Sequence, residues 1–366
     1  MIGDIFIGYD VLGSAVRLML KDLLKSMLVC GIIGSGKTAL LTLIVSQFLM
    51  KNITVWWIDQ SKRDGLSLAR MFPSMQHFRP NHNFFWNPFQ ITQGLDILEI
   101  VPRVTEQFCR DMHLLLGSES YMSEMVFQTL ERMRRNNILQ APTLYDIRDT
   151  ILQDRTRSAR ASDYRTVVLG RIQFLLNHIG RMLHVHQGFD LLKLSMTSFV
   201  LDLVGLPAEI QRFIIGSLIY SLVSLRQALG ILTNDLNLLI VYDEANRLFP
   251  RNEELNPAES IPILSQLTQI SREYGVGFLG ACQAPSFMAN SGLKSQSYIK
   301  AIVGSLGSNE DYYDMGNVMG MTSDQIEWLK THGETGKAVV KLAGGKFAQP
   351  FMVRIPFLNL KGIDQG

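Results

Sequence analysis

The stretch Gly31-Ile32-Ile33-Gly34-Ser35-Gly36-Lys37-Thr38 decides how this chain is read. It fits G-x-x-x-x-G-K-[ST], in which glycines let the backbone wrap a phosphate with its N–H groups turned inward. Composition alone would produce that pattern in roughly one chain in a hundred of this length. Context narrows it. An apolar, strand-like run, 27–30, stands before the loop, and an apolar helical run, 38–50, follows it. A helix that begins at the loop turns the positive end of its dipole toward an anion. Gly31, Gly34, Ser35, Gly36, Lys37 and Thr38 are therefore expected to cradle a nucleotide, with Lys37 at the β- and γ-phosphates and the Thr38 hydroxyl on Mg²⁺.

Working outward, short apolar, β-branched runs recur at 55–58, 199–204, 237–242, 276–282, 300–303, 337–342 and 351–355. Continuous apolar runs of this length suit strands buried on both faces. Helical patterns at 208–228, 261–274 and 322–329 alternate with them. That alternation implies an α/β domain with a mainly parallel sheet. Residues 61 to about 195 break it with helical patterns at 104–116, 123–134, 144–153 and 164–178. Thr143 followed by Asp146 has the form of an acidic capping box. The aromatic run from Phe84 to Phe89 is expected to pack rather than to stack bases. The expected organisation is an ATPase-type core of 1–60 and 195–366 with a helical subdomain, 61–194, inserted into it.

A nucleotide triphosphatase needs a second carboxylate beside the metal. Leu238-Leu239-Ile240-Val241-Tyr242-Asp243-Glu244 supplies an apolar strand that ends in Asp-Glu. Asp243 is expected in the Mg²⁺ shell. Glu244, one residue on, is expected to polarise the attacking water as general base. The run 276–282 ends at Gln283, a candidate to orient that water. Arg272 lies just before the same run. It cannot easily serve its own nucleotide, and is a candidate finger for a neighbouring subunit's γ-phosphate.

The chain has 366 residues, enough for two or three domains. Hydrophobic residues make up 47% and charged ones 19%, so a large core can be buried and disorder is excluded. The net charge of +2 argues against binding nucleic acid through a bulk basic tail, although a ring can still concentrate charge in its pore. Cys30, Cys109 and Cys282 are too few and scattered for a disulfide framework or zinc ribbon, and read as buried thiols of a reducing compartment. The start carries no secretory signal pattern. Mean hydropathy is +0.12. The longest apolar run, 39–50, falls short of the roughly 20 residues a bilayer span needs. A soluble, cytoplasmic protein with no transmembrane segment of its own, docking at a membrane or in an oligomer, is the expectation. Arg155, Arg157, Arg160 and Arg165 read first as a solvated face or subunit contact, and second as phosphate contacts. His184 and His186 lack a third ligand for a metal.

Together these motifs resemble the HerA/FtsK superfamily of ring ATPases. The residues that carry the likeness are the phosphate loop with its extra Gly34, the run Asp243-Glu244-Ala245-Asn246-Arg247-Leu248-Phe249-Pro250, Arg272 before Tyr274-Gly275-Val276-Gly277, and Gln283-Ala284-Pro285-Ser286. The run 200–207 and the tail from Asp324 to Pro356 look like the HerA branch and the related ATPases of conjugation and type IV secretion. The likeness covers about 1–60 and 195–360. It implies a RecA-like core, ATP and Mg²⁺, a homohexamer, and translocation of double-stranded DNA, with a nuclease or membrane-channel partner. It assigns Lys37, Thr38, Asp243, Glu244, Gln283 and Arg272 the roles argued above. The alternative is a conjugation or secretion ATPase energising transport at a membrane channel. A nucleotide-gated scaffold is a third reading, which an intact Glu244 opposes. The chain departs from the family in several places. The loop begins too early for the family's N-terminal barrel, membrane spans and a winged-helix tail are absent, and Asn246 stands where many relatives have His.

Overall fold

The computed structural model describes residues 4–91, 94–114, 116–155, 158–251, 263–290 and 292–356. Arg157 and the expected start of a helix at Ile261 lie outside them. Contacts divide the chain into two compact units. One holds Met1–His77, Thr197–Val204 and Leu232–Gly366; the other holds Phe78–Met196 and Gly205–Ile231. The helix Ala208–Ala228, expected with the core, is grouped with the helical unit instead.

Among the described residues eleven strands form one mixed sheet: β1 (Ile5–Tyr9), β2 (Ala15–Leu18), β3 (Met27–Cys30), β4 (Thr54–Asp59), β5 (Gln76–Phe78), β6 (Phe199–Asp202), β7 (Thr233–Tyr242), β8 (Tyr274–Cys282), β9 (Ile299–Val303), β10 (Lys337–Leu342) and β11 (Phe351–Arg354). Their spatial order is β2-β1-β11-β10-β9-β3-β8-β7-β4-β6-β5. The run from β9 through β3, β8, β7 and β4 to β6 is parallel. The strands β2, β1, β11 and β10 extend it as antiparallel neighbours. Every residue of β3 is buried, as is every residue of β8 after Tyr274, which matches strands covered on both faces.

The parallel register brings the strand ends to one edge. Cys30 pairs with Cys282, Tyr242 with Gly280, Ile58 with Tyr242, and Asp59 with Asp202. Whatever follows those residues therefore gathers at the carboxyl edge, where open α/β sheets bind ligands. The helix Lys37–Met50 buries Leu40, Leu41, Ile44, Val45 and Phe48 in the core that also holds Val29, Trp57, Val241 and Leu279. Its Gln47 fixes the first strand, accepting from Phe6 N and donating to Phe6 O, each at 2.8 Å.

In the helical unit Thr143 and Asp146 form the expected capping box before the helix Leu144–Gln153. Phe84, Trp86 and Phe89 are fully buried, and Trp86 Nε1 donates to Ser217 Oγ at 3.1 Å, so this aromatic run is core. Among the described residues one helix, Ala208–Ala228, is long and apolar enough to cross a bilayer, against the expectation of none. Of its most apolar stretch, 89% is buried inside the molecule. It packs on the helices Ile97–Asp111 and Leu191–Ser195.

Candidate nucleotide site

The loop 31–36 leaves β3 at the carboxyl edge and enters the helix at Lys37. Gly34 has φ of 80° and Gly36 of 107°, left-handed values that favour glycine. Gly31 is needed for a different reason: a Cβ there would lie 2.3 Å from Val303 O. Ser35 N–H donates to Ile32 O within the loop, and Ser35 O receives Gly336 N–H. Ser35 Oγ is buried with no hydrogen-bond partner among the described residues. A phosphate oxygen would satisfy it, so the loop fits the group its sequence implies. Lys37 is nearly buried, and its ammonium donates to Gly31 O at 2.6 Å and Ile32 O at 2.8 Å. Burial holds its pKa below the usual lysine range.

Strand β8 lies between β3 and β7, so Gln283 stands between the loop and the acidic pair. Gln283 Nε2 donates to Glu244 Oε1 at 3.1 Å. Arg247 Nε lies 2.8 Å from Glu244 Oε2, and Gln60 Oε1 accepts from Glu244 N at 3.4 Å. Glu244 is thus held from two sides with its carboxylate oriented. Beyond Gln283 the chain is pinned as well. Asp311 Oδ1 accepts Ser286 N–H at 3.0 Å, and the buried Lys294 donates to Pro285 O and Met288 O.

Asp243 does something its motif did not announce. Its carboxylate accepts the N–H of Gln60 at 3.0 Å, and those of Ser61 and Lys62. It therefore fastens the loop that leaves β4. Burial pushes its pKa up to about 7, against the lowering effect of those N–H groups. The end of β4 and the loop after it carry two carboxylates that sequence reasoning missed. Asp59, fully buried, accepts Trp57 Nε1 at 2.8 Å and Gly65 N at 3.0 Å. Asp64 Oδ2 accepts the Thr38 hydroxyl at 3.2 Å. Hydroxyl and carboxylate oxygens are the donor set that suits Mg²⁺, so the residues present fit that ion too.

No family model matches the sequence, and no curated protein matches it. Solved structures do. VirB4 of Thermoanaerobacter pseudethanolicus superposes with a TM-score of 0.70 at 12% identity, covering 98% of this chain and 97% of that one. The bacterial conjugative coupling protein TrwBΔN70, in complex with sulphate, gives 0.69 at 13% identity over 94% of this chain and 88% of that one. Plasmid coupling protein TrwB in complex with ADP and Mg²⁺ gives 0.69 at 14% identity over 96% and 90%. The chain has the fold of the HerA/FtsK-type P-loop ATPases. The RecA-like core and mainly parallel central sheet expected from the sequence are met by that fold.

Within this ATPase fold the remaining candidate stands apart. Arg272 belongs to a short 3₁₀ turn, Ser271–Glu273, at the amino end of β8, whereas Gln283 follows its carboxyl end. It lines a cleft of about 410 Å³ with Lys25, Thr268, Ser297 and Tyr298. The chain's own loop and its Arg272 therefore lie at opposite edges of the sheet. The three cysteines are buried and free. Of the arginine cluster, Arg165 donates to Ile151 O and Leu152 O, closing the end of the helix Leu144–Gln153, and Arg160 Nε donates to Tyr164 Oη at 2.7 Å. His184 packs edge-on against Tyr145, and His186 Nδ1 is bonded to Ala141 O. Among the described residues no group of three or more potential ligands could hold a metal by itself.

Proposed function

We propose that this chain binds ATP and Mg²⁺ at the 31–38 loop and hydrolyses the nucleotide as a subunit of a homohexameric ring that moves double-stranded DNA. The observation that carries the reading is the Glu244–Gln283 pair at 3.1 Å, one strand away from a loop shaped for phosphate. In this reading Lys37 leaves its loop carbonyls for the β- and γ-phosphate oxygens, Gly34 and Gly36 supply backbone N–H groups, Ser35 turns its N–H from Ile32 O to the phosphate, and Gly31, whose N–H is held by Cys282 O, lets the loop pass close to Val303. Thr38 and Asp243 serve the metal, which supplies charge neutralisation at the phosphates when bound. Glu244 takes the proton of the attacking water, and Gln283 orients both. Arg272 serves the nucleotide of the adjacent subunit. The organisation proposed is a motor core with a helical subdomain, in the cytoplasm, meeting a membrane only through partners.

A second reading is favoured by one finding: the likeness to VirB4 runs over nearly the whole chain and so includes the helical unit. On that reading the subunit energises macromolecule transport at a membrane channel, as a conjugation or type IV secretion ATPase does. A nuclease or channel protein is the corresponding partner.

The test is steady-state ATP turnover by the purified chain, with and without linear duplex DNA. Lys37→Ala is the blank, and Glu244→Gln should bind ATP but lose about 10²–10⁴-fold in turnover. Stimulation by DNA supports the translocase. Turnover indifferent to DNA moves the assignment to the secretion reading. Turnover of the unsubstituted chain no higher than Lys37→Ala would sink the ATPase itself.

A further inference from the structure

The loop that leaves β4, Gln60-Ser61-Lys62-Arg63-Asp64, has no role in the readings above, yet it lies across from the start of the nucleotide-loop helix. Asp64 precedes the helix Gly65–Met71, but its side chain makes no capping bond to that helix. The first turn is served otherwise: Gly65 N–H goes to Asp59 Oδ1 and Ser67 N–H to the Asp64 backbone carbonyl. Released from that duty, the Asp64 carboxylate reaches Thr38 and accepts its hydroxyl proton at 3.2 Å. Asp243, the acid expected beside Thr38, is occupied by the N–H groups of Gln60, Ser61 and Lys62. It thereby sets the shape of the segment that presents Asp64.

A hydroxyl that ligates a metal offers a lone pair to it, and its proton must point elsewhere. An acceptor on the far side fixes that orientation and makes the oxygen a better ligand. Second partners of this kind are worth about 10–100-fold in metal affinity when removed. A carboxylate is the strongest such acceptor, because its charge strengthens the bond.

We infer that Asp64 is the positioning residue for Thr38: its carboxylate receives the Thr38 hydroxyl proton, turns the oxygen lone pair toward Mg²⁺, and depends on Asp243 for its own placement. The inference rests on the proposed Mg²⁺–ATP site.

The test is a binding titration rather than turnover. A fluorescent ATP analogue is bound to the full chain at increasing MgCl₂, and again in EDTA. Asp64→Ala should raise the half-saturating Mg²⁺ concentration about 10–100-fold and leave binding in EDTA unchanged. Asp64→Asn keeps an acceptor without the charge and should fall between. An unchanged Mg²⁺ requirement in Asp64→Ala overturns the assignment. So does equal weakening with and without Mg²⁺, which would mean that Asp64 only shapes the loop. If the unsubstituted chain binds the analogue with no dependence on Mg²⁺, it is the proposed site that has failed, not the assignment of Asp64 within it.

Discussion

Asp59 ends β4 with one oxygen satisfied and the other stranded. Oδ1 accepts two N–H bonds, while Oδ2 is buried without a hydrogen-bond partner among the described residues. Removing an ionised carboxylate from water is costly, and the carboxyl answers by keeping its proton. Burial raises its pKa to about 7, and the nearby charges of Asp243 and Asp64 push the same way. The sign follows from linkage. The unfolded chain releases this proton near the usual 3.9, whereas the folded chain holds it to about 7. Between those values folding takes up a proton, so the carboxyl's contribution to stability falls as pH rises through the window and levels off above it. Asp243, raised to about 7 by burial, acts in the same direction. In the absence of nucleotide and Mg²⁺, the melting temperature should therefore drop between pH 5 and 7.5. Asp59→Asn, neutral throughout, should flatten that slope and raise Tm at pH 7.5 by about 2–4 °C. Parallel slopes for the two proteins would show that Asp59 is ionised across the range.

The element that holds these acids together is the turn between β4 and the helix Gly65–Met71. It is built around a close approach. A Cβ on Gly65 would lie 2.5 Å from Trp57 Cδ1 and 2.8 Å from Val200 Cγ1. Both neighbours are core side chains with no exposed surface, so neither can give way cheaply. Gly65→Ala should cost about 1–3 kcal/mol in urea unfolding, by overpacking. Gly170→Ala, mid-helix, where an added Cβ meets none of the described residues within 4 Å, should instead be neutral or stabilising by up to about 1 kcal/mol. Equal midpoints for the two variants would rule out the tight contact. This turn also marks where the sequence stops being readable. The glycine loop, the strand end at Asp243-Glu244 and Gln283 each carry local signatures, because their chemistry needs fixed residues at fixed spacing. Asp59 and Asp64 sit in Asp-Gln-Ser-Lys-Arg-Asp-Gly, which by itself reads as a solvated turn. Only the register of β4 against β7, Trp57 with Val241 and Ile58 with Tyr242, brings that turn to Asp243. The hairpin β1–β2 was missed for the same reason. Its strands are short, and β1 takes its other partner, β11, from the opposite end of the chain.

At the scale of the whole molecule, β8 carries Gln283 beyond one end and Arg272 before the other. Nine residues separate the two edges by about 30 Å at the usual strand rise. An arginine so placed cannot approach the nucleotide of its own chain without unravelling the sheet. A head-to-tail ring removes the difficulty, because a heterologous interface sets one surface of each copy against a different surface of the next. The cleft that Arg272 shares with Lys25, Ser297 and Tyr298 is the surface proposed to face the neighbour's loop. Arg272→Ala should then leave binding of the ATP analogue unchanged and cut turnover by about 10³–10⁵-fold. Glu244→Gln should also lose most of its turnover, for a defect on the other side of the same interface. Mixing the two impaired proteins restores competent sites wherever an intact Glu244 meets an intact Arg272, at about a quarter of interfaces for random equal mixing. Turnover in the mixture above that of either component is the expected result. A mixture as inactive as its parts would mean that the arginine acts within its own chain or on no nucleotide at all, and normal turnover by Arg272→Ala would remove it from the reaction.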